Sequence, residues 1–343
     1  MFASFSTLVL ICILIVAAGV VLVASLRMTA LADQIADRAG WGEALVGGLV
    51  LGAATSLSGL VVSVTGAASG DASLAFSNGV GGIAAQTVFL ALADLGHRRA
   101  NLEHAAAEPA NLIQGVLLMT LLTLPLVGYA APPITILGLH PITAVMIGMY
   151  VYGLRVTREV REAPMWRPVQ TDETREDTPE DPEEAERSPV RPAIIFAGLA
   201  LVLALSGWVI AQSAGVLIQR SGLSSSLVGA LVTAVLTSLP ELVTTLAAVR
   251  RGALQLAVGG VIGGNMFDTL FLAASDIAYR DGSLYHALGT EDLYWLATGL
   301  LMTAILLAGQ IRRQRDGPAG IGFESVALLA VYGTAVTVQA LSG

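Results

Sequence analysis

Ten apolar runs, each close to the about 20 residues that cross a hydrocarbon core, leave this chain few ways to fold. They lie at about 4–26, 44–66, 72–95, 110–130, 133–154, 192–218, 224–249, 254–278, 292–311 and 321–341. The runs are continuously apolar and do not alternate with polar residues, so they read as helices and not as strands of a barrel. The expected fold class is therefore all-α integral membrane. Composition agrees: 55% of residues are hydrophobic and 13% charged, against roughly 25% charged in soluble chains, and the mean hydropathy is +0.73. A soluble enzyme is excluded. The single cysteine, Cys12, leaves no internal disulfide and no cysteine-based metal site. Acidic residues outnumber basic ones, 26 to 18, and no basic face is left for nucleic acid.

All 18 basic residues are arginine, and their placement sets an orientation. With the amino terminus outside, inside loops hold Arg27, Arg38, Arg98, Arg99, the seven arginines between 155 and 191, Arg250, Arg251, Arg312, Arg313 and Arg315. Only Arg220 and Arg280 fall outside. No basic residue precedes the first run and Arg27 follows it, so it reads as a retained helix rather than a signal peptide. Ten spans place both termini outside a cell membrane. The 155–191 stretch, with eleven acidic residues and five prolines, reads as a mostly disordered cytoplasmic linker between halves 1–154 and 192–343. It is a solvated tether or, alternatively, an acidic cation sensor.

The chain also repeats itself. Leu45 to Asp94 aligns without a gap on Leu227 to Asp276 at an offset of 182 residues, with 20 of 50 pairs identical. Leu45-Val46-Gly47 matches Leu227-Val228-Gly229, Thr55-Ser56-Leu57 matches Thr237-Ser238-Leu239, and Phe89-Leu90-Ala91 matches Phe271-Leu272-Ala273. An odd number of spans separates the copies, so they cross the membrane in opposite senses. Two inverted five-helix repeats are a design of secondary transporters, with a substrate site near the midplane.

The second copy carries the chemistry. In Thr237-Ser238-Leu239-Pro240-Glu241, two hydroxyls and a carboxylate share one helical face. Pro240 cannot donate a backbone hydrogen bond and should free the carbonyl of Leu236, or it serves shape alone. The next helix carries Gly259-Gly260-Val261-Ile262-Gly263-Gly264-Asn265-Met266-Phe267-Asp268, with Asn265 and Asp268 on one face. Such hard oxygen ligands suit Ca²⁺, Na⁺ or a proton. A charge at the bilayer centre costs about 3 kcal/mol on insertion scales, so two intramembrane carboxylates imply a compensating cation or proton.

These residues resemble the alpha repeats of the calcium/cation antiporter superfamily, the sodium/calcium exchanger group in particular. In that family a Thr-Ser-x-Pro-Glu helix and a Gly-Ser-Asn-x-x-Asn/Asp helix from each repeat chelate Ca²⁺ or several Na⁺. The resemblance implies ion ligands at Thr237, Ser238, Glu241 and Asp268, a carbonyl at Ala234, and a packing role for Asn265. The first copy departs from the pattern. Thr55 and Ser56 remain, but Ser58 replaces the proline, Gly59 stands in place of the second glutamate, Gly82 and Ile83 replace Ser and Asn, and Gln86 matches Asp268. The first half is thus a reduced contributor, with Thr55, Ser56 and Gln86 completing the shell.

The expected function is secondary cation antiport of the sodium/calcium exchanger type. The partners are inorganic cations and the bilayer, with no cofactor, no enzymatic activity and no protein partner deducible. Loss of one carboxylate favours, as an alternative, exchange of a monovalent cation or proton. A non-transporting membrane sensor or assembly partner is the reading from another class. His97, His104, His140 and His286 are expected to be solvated or interfacial, Asp94 and Asp276 to face water at helix ends, and Glu43 and Asp71 to be interfacial charges.

Overall fold

The computed structural model describes residues 2–39, 52–96, 101–106, 108–169, 190–252, 254–314 and 321–342. The described residues are almost wholly helical; the only bridge among them joins Ile136 and Leu139. The first half comprises α1 (Thr7–Ala39), α2 (Gly52–Ala68), α3 (Ala72–Gly96), α4 (Pro109–Ala130) and α5 (Pro141–Glu162). The second comprises α6 (Val190–Ser221), α7 (Ser225–Thr237), α8 (Leu239–Arg251), α9 (Leu254–Ala278), α10 (Thr290–Arg312) and α11 (Phe323–Ser342).

Helices lie at all ten expected places, but length and composition single out fewer spans. Among the described residues, seven helices are long and apolar enough to cross a membrane, or eight if α7 and α8 count as one bent span. The expected 44–66 run begins outside the described residues, and its described part, α2, is short. The expected 133–154 span starts later, at Pro141, because 132–140 is a loop, and its far end carries Arg155, Arg158 and Arg161. The expected 224–249 helix is broken: Val228–Thr233 winds as a π-helix, and the chain bends by 48° at Ser238. Pro240 at the start of α8 has no N–H to continue the ladder, which places the break there. Of the 155–191 linker, residues 170–189 lie outside the described residues, as do Leu45 to Val50, Glu43, His97, Arg98 and Arg99.

Burial sorts the helices. In their most apolar windows α3 and α9 are 83% and 72% buried, whereas α6 is 22% buried. The outward faces of α1 and α6 present Leu8, Ile15, Val16, Ile194 and Leu201, a surface suited to lipid. α1 and α6 pack on each other through Leu14, Val21, Leu203 and Ile210. The main core is formed by α3, α4, α9 and α10 around Phe76, Leu118, Ile262 and Trp295. α3 and α9 owe their central position to small residues: a Cβ on Gly81 would fall 2.4 Å from Cα of Ala230, so α3 and α7 cross nearly backbone to backbone.

The 182-residue offset governs more than the matched fifty residues. α3 and α9 start and end at that offset, as do the ends of α4 and α10 and the starts of α5 and α11. Gly70 and Gly252, identical under the offset, both hold positive φ, 83° and 84°, where a side chain would be strained.

Reciprocal hydrogen bonds between the halves follow the same offset. Asp94 accepts from the Leu102 N–H (2.8 Å), the Gly322 N–H (3.2 Å) and Ser325 Oγ (2.8 Å). Asp276 accepts from the equivalents: the Leu284 N–H (3.0 Å), the His140 N–H (3.0 Å) and Thr143 Oγ1 (2.6 Å). His104 Nδ1 bonds the carbonyl of Arg313, and His286 Nε2 bonds the carbonyl of Ala131, both at 2.8 Å.

The expectation that Asp94 and Asp276 face water is therefore wrong. Both are 0% exposed and tie the end of a central helix to a corner of the other half. His104 and His140 are buried as well, not solvated, because loop backbone groups closed off from water need bonding partners. Asp71 is half-buried and caps α3 through the Leu74 N–H (2.9 Å) while holding Ser225 Oγ (2.8 Å).

Candidate cation site

Where α2, α3, α8 and α9 meet inside the bundle, the two carboxylates of the second half are buried. Glu241 is 7% exposed and Asp268 1%. The break at Ser238 sets Glu241 in the first turn of α8, pointing at α2. There Ser56 Oγ donates to Glu241 Oε1 at 3.3 Å, and Thr55 bonds the same carboxylate. Ser56 also reaches Asp268, so this one hydroxyl lies between the two acids. Gln86 Nε2 on α3 donates to Asp268 Oδ2 at 2.7 Å and to Ser238 Oγ at 3.3 Å. Gln86 and Asp268, equivalent under the repeat, thus meet each other across the two halves.

Six of the seven residues expected from the sequence turn polar groups toward this centre: Thr55, Ser56, Gln86, Ser238, Glu241 and Asp268. The seventh, Thr237, is adjacent and 4% exposed, but its hydroxyl donates back to the carbonyls of Thr233 (2.9 Å) and Ala234 (3.2 Å) on its own helix. The Ala234 carbonyl is accordingly engaged by Thr237 and by the Ser238 N–H (3.0 Å). Asn265 Nδ2 donates to Thr87 Oγ1 at 3.1 Å, bracing α9 against α3.

Three oxygens at the centre have no hydrogen-bond partner: Glu241 Oε2, Asp268 Oδ1 and Gln86 Oε1. Leaving a buried acceptor unpaired costs about 1–3 kcal/mol, more for a charged group. Among the described residues the three salt bridges lie at the ends of α4 and α5, and none involves these acids. Two buried carboxylates without a basic partner, with free oxygens directed inward, call for a compensating positive charge, a cation or a proton.

What fills the place of the second glutamate was not foreseen from local pattern. A Cβ at Gly59 would lie 2.8 Å from Cε2 of Phe271 and 3.3 Å from Thr237 Oγ1. The aromatic ring occupies that seat. Asn78, also unforeseen, locks the surrounding backbone: its Nδ2 donates to the Gly59 carbonyl (3.0 Å) and Ser63 Oγ (2.9 Å), and its Oδ1 accepts from Thr233 Oγ1 (2.7 Å). The retained Phe89/Phe271 identity was the one available signal for the ring.

A cleft of about 890 Å³ opens on the face where α3 and α7 begin, lined by Asp71, Ser73, Ser226, Glu291 and Asp292 among others. Ser73 and Ser77 donate to the two oxygens of Asp292, at 2.6 and 2.8 Å.

A family model for the sodium/calcium exchanger protein matches residues 9–154 and 191–341. The chain belongs to the sodium/calcium exchanger family. Relatives of this exchanger-family chain include CaxA of Alkalimonas amylolytica, which is named as an antiporter and is 33% identical over 121 residues, 35% of this chain and 38% of the relative. Inner membrane protein YrbG of Escherichia coli K12 is 28% identical over 132 residues, 38% of this chain and 39% of the relative. The matches thus span about two fifths of the length of those relatives.

The exchanger-family fold extends over nearly the whole molecule. It is similar to the solved sodium-calcium exchanger NCX_Mj, with a TM-score of 0.62 at 15% identity over 97% of this chain and 99% of that one. It is also similar to the H⁺/Ca²⁺ exchanger CAX, with a TM-score of 0.63 at 12% identity over 96% of this chain and 85% of that one.

Proposed function

We propose that this exchanger-family chain is a secondary cation antiporter whose substrate site lies between Glu241 and Asp268. The observation that carries the reading is the cluster of three unpaired oxygens, Glu241 Oε2, Asp268 Oδ1 and Gln86 Oε1, in a centre closed to water. Thr55, Ser56 and Ser238 supply further oxygens, and Thr237 joins them once its hydroxyl leaves its own helix. Two carboxylates formally balance one Ca²⁺ or two monovalent cations. Competition of two ions for the same pair of acids couples their movements in opposite directions.

In this reading the chain makes ten membrane passages as two inverted halves, 1–154 and 192–343, joined by the 155–191 cytoplasmic linker, with both termini outside. The 890 Å³ cleft then opens outward, and its acidic rim concentrates cations. Calcium exchanged for sodium is the leading substrate pair, as the family description suggests. ⁴⁵Ca²⁺ uptake into proteoliposomes driven by an outward Na⁺ gradient tests it: uptake is expected, and no flux of Ca²⁺, Na⁺ or H⁺ under any gradient rejects antiport. The seating of Phe271 against Gly59, which leaves two carboxylates rather than three, favours exchange of a monovalent cation or proton as the second reading. That reading is selected by dissipation of a pH gradient on adding Na⁺ or K⁺ without calcium movement.

A further inference from the structure

Apart from the Glu241–Asp268 pair, two carboxamides of α4 place buried oxygens in the bundle without partners. Asn111 is 1% exposed, and neither its Oδ1 nor its Nδ2 makes a hydrogen bond. Three residues on, Gln114 Oε1 is likewise buried and unpaired. Both side chains lie against the glycines that open α9. A Cβ on Gly259 would stand 2.8 Å from Asn111 Oδ1, and one on Gly263 would stand 3.8 Å from Gln114 Nε2. At the next residue, Gly264, the neighbour is Gln86 Oε1 at 3.4 Å, and Asp268 follows about one turn later. Ascending α9 and turning about its bare backbone, one meets Asn111, Gln114, Gln86 and Asp268 in order. The last two belong to the cation site.

The helical scaffold does not require amides here. At the 182-residue offset, α10 carries Leu293 and Leu296 where α4 carries Asn111 and Gln114. Helices pack in a membrane through apolar and small side chains alone, and an unpaired buried amide costs about 1–3 kcal/mol. At these two positions α4 therefore carries polar groups where α10 carries apolar side chains.

We propose that Asn111 and Gln114 form a neutral, amide-lined station for a partly hydrated monovalent cation moving between Gln86 and Asp268 and the face where α4 and α9 begin. Neutral oxygens with no carboxylate suit a singly charged ion better than a divalent one, which draws its tight binding from ligand charge. By the arginine distribution this face is cytoplasmic. The inference rests on the antiport reading above.

The test compares wild type, Asn111→Leu, Gln114→Leu and the double variant in proteoliposomes, using ²²Na⁺ as the probe. Leucine is expected to raise the melting temperature, because it removes unpaired polar groups, and to slow Na⁺ flux by about ten- to a hundredfold, the scale of losing a polar contact to a charge. A purely structural amide gives the opposite pattern, a lowered melting temperature with flux unchanged in the variants that fold, and overturns the proposal. Wild type that carries no cation overturns the antiport reading and this inference with it; wild-type flux that persists in the double variant overturns this inference alone. A second readout does not depend on leucine. In a Cys12→Ala background, Asn111→Cys should react with a hydrophilic thiol reagent applied from the α4–α9 face, and added Na⁺ should slow the labelling. A thiol inert under every ionic condition also overturns it.

Discussion

Glu241 and Asp268 share the hydroxyl of Ser56 but differ in their other partners. Glu241 rests on the hydroxyls of Thr55 and Ser56, while Asp268 holds the amide of Gln86. Neutralising either removes one of two charges. Glu241→Gln and Asp268→Asn should each reduce ⁴⁵Ca²⁺ or ²²Na⁺ uptake by about a hundredfold or more, since losing even an outer partner of a metal ligand costs about ten- to a hundredfold. A sensor or scaffold would instead keep its complexes in the Glu241→Gln variant. Gly59 is a subtler case, because the ring of Phe271 stands 2.8 Å from where a Cβ would be. Gly59→Glu alone should lose about 1–3 kcal/mol of stability through overpacking and gain no affinity. Combined with Phe271→Ala it should install a third carboxylate and tighten Ca²⁺ binding about tenfold, because charge count tunes such sites. Equilibrium ⁴⁵Ca²⁺ binding to the double variant checks this, and unchanged affinity would mean that Phe271 is not what closes the seat.

At the level of elements, the two central helices are fastened where they end. Asp94 at the end of α3 holds the α10–α11 corner, and Asp276 at the end of α9 holds the α4–α5 corner, each through one backbone N–H and one hydroxyl, with a second N–H from the loop that follows its own helix. Removing a buried acceptor orphans its donors, at about 1–3 kcal/mol each. Asp94→Ala and Asp276→Ala should therefore lower stability by similar amounts, about 3 kcal/mol or more, as read from thermal unfolding in detergent. Markedly unequal losses would contradict the equivalence of the two fastenings. The broken α7–α8 element has a different logic: Pro240 ends one hydrogen-bond ladder, and the 48° bend turns Glu241 toward Ser56. Pro240→Ala should straighten this element and weaken cation binding more than it weakens the fold, a difference that paired binding and melting measurements resolve.

For the molecule as a whole, orientation is the property open to direct measurement. Ser69 is exposed at the end of α2, beside the cleft. With Cys12 replaced by alanine, Ser69→Cys should be labelled by an impermeant thiol reagent added outside intact cells; labelling only after permeabilisation would invert the topology. Much at this scale was legible in the residues alone. Apolar run length dictated helices, since a chain in lipid must satisfy its backbone internally. The Leu45–Asp94 and Leu227–Asp276 match announced two related halves, and Thr-Ser-Leu-Pro-Glu with a later Asp268 marked the acids. What those residues could not disclose were relations between distant surfaces. That Asp94 and Asp276 are buried fasteners and not exposed termini depends on loops packed from the other half. That a ring fills the seat at Gly59 depends on a helix more than two hundred residues away. Local pattern determined which segments are apolar helices and which carry charge, because transfer from water acts residue by residue. Only the tertiary structure decided which polar atoms find partners and which are left facing one another, because hydrogen bonding is a matter of position in space.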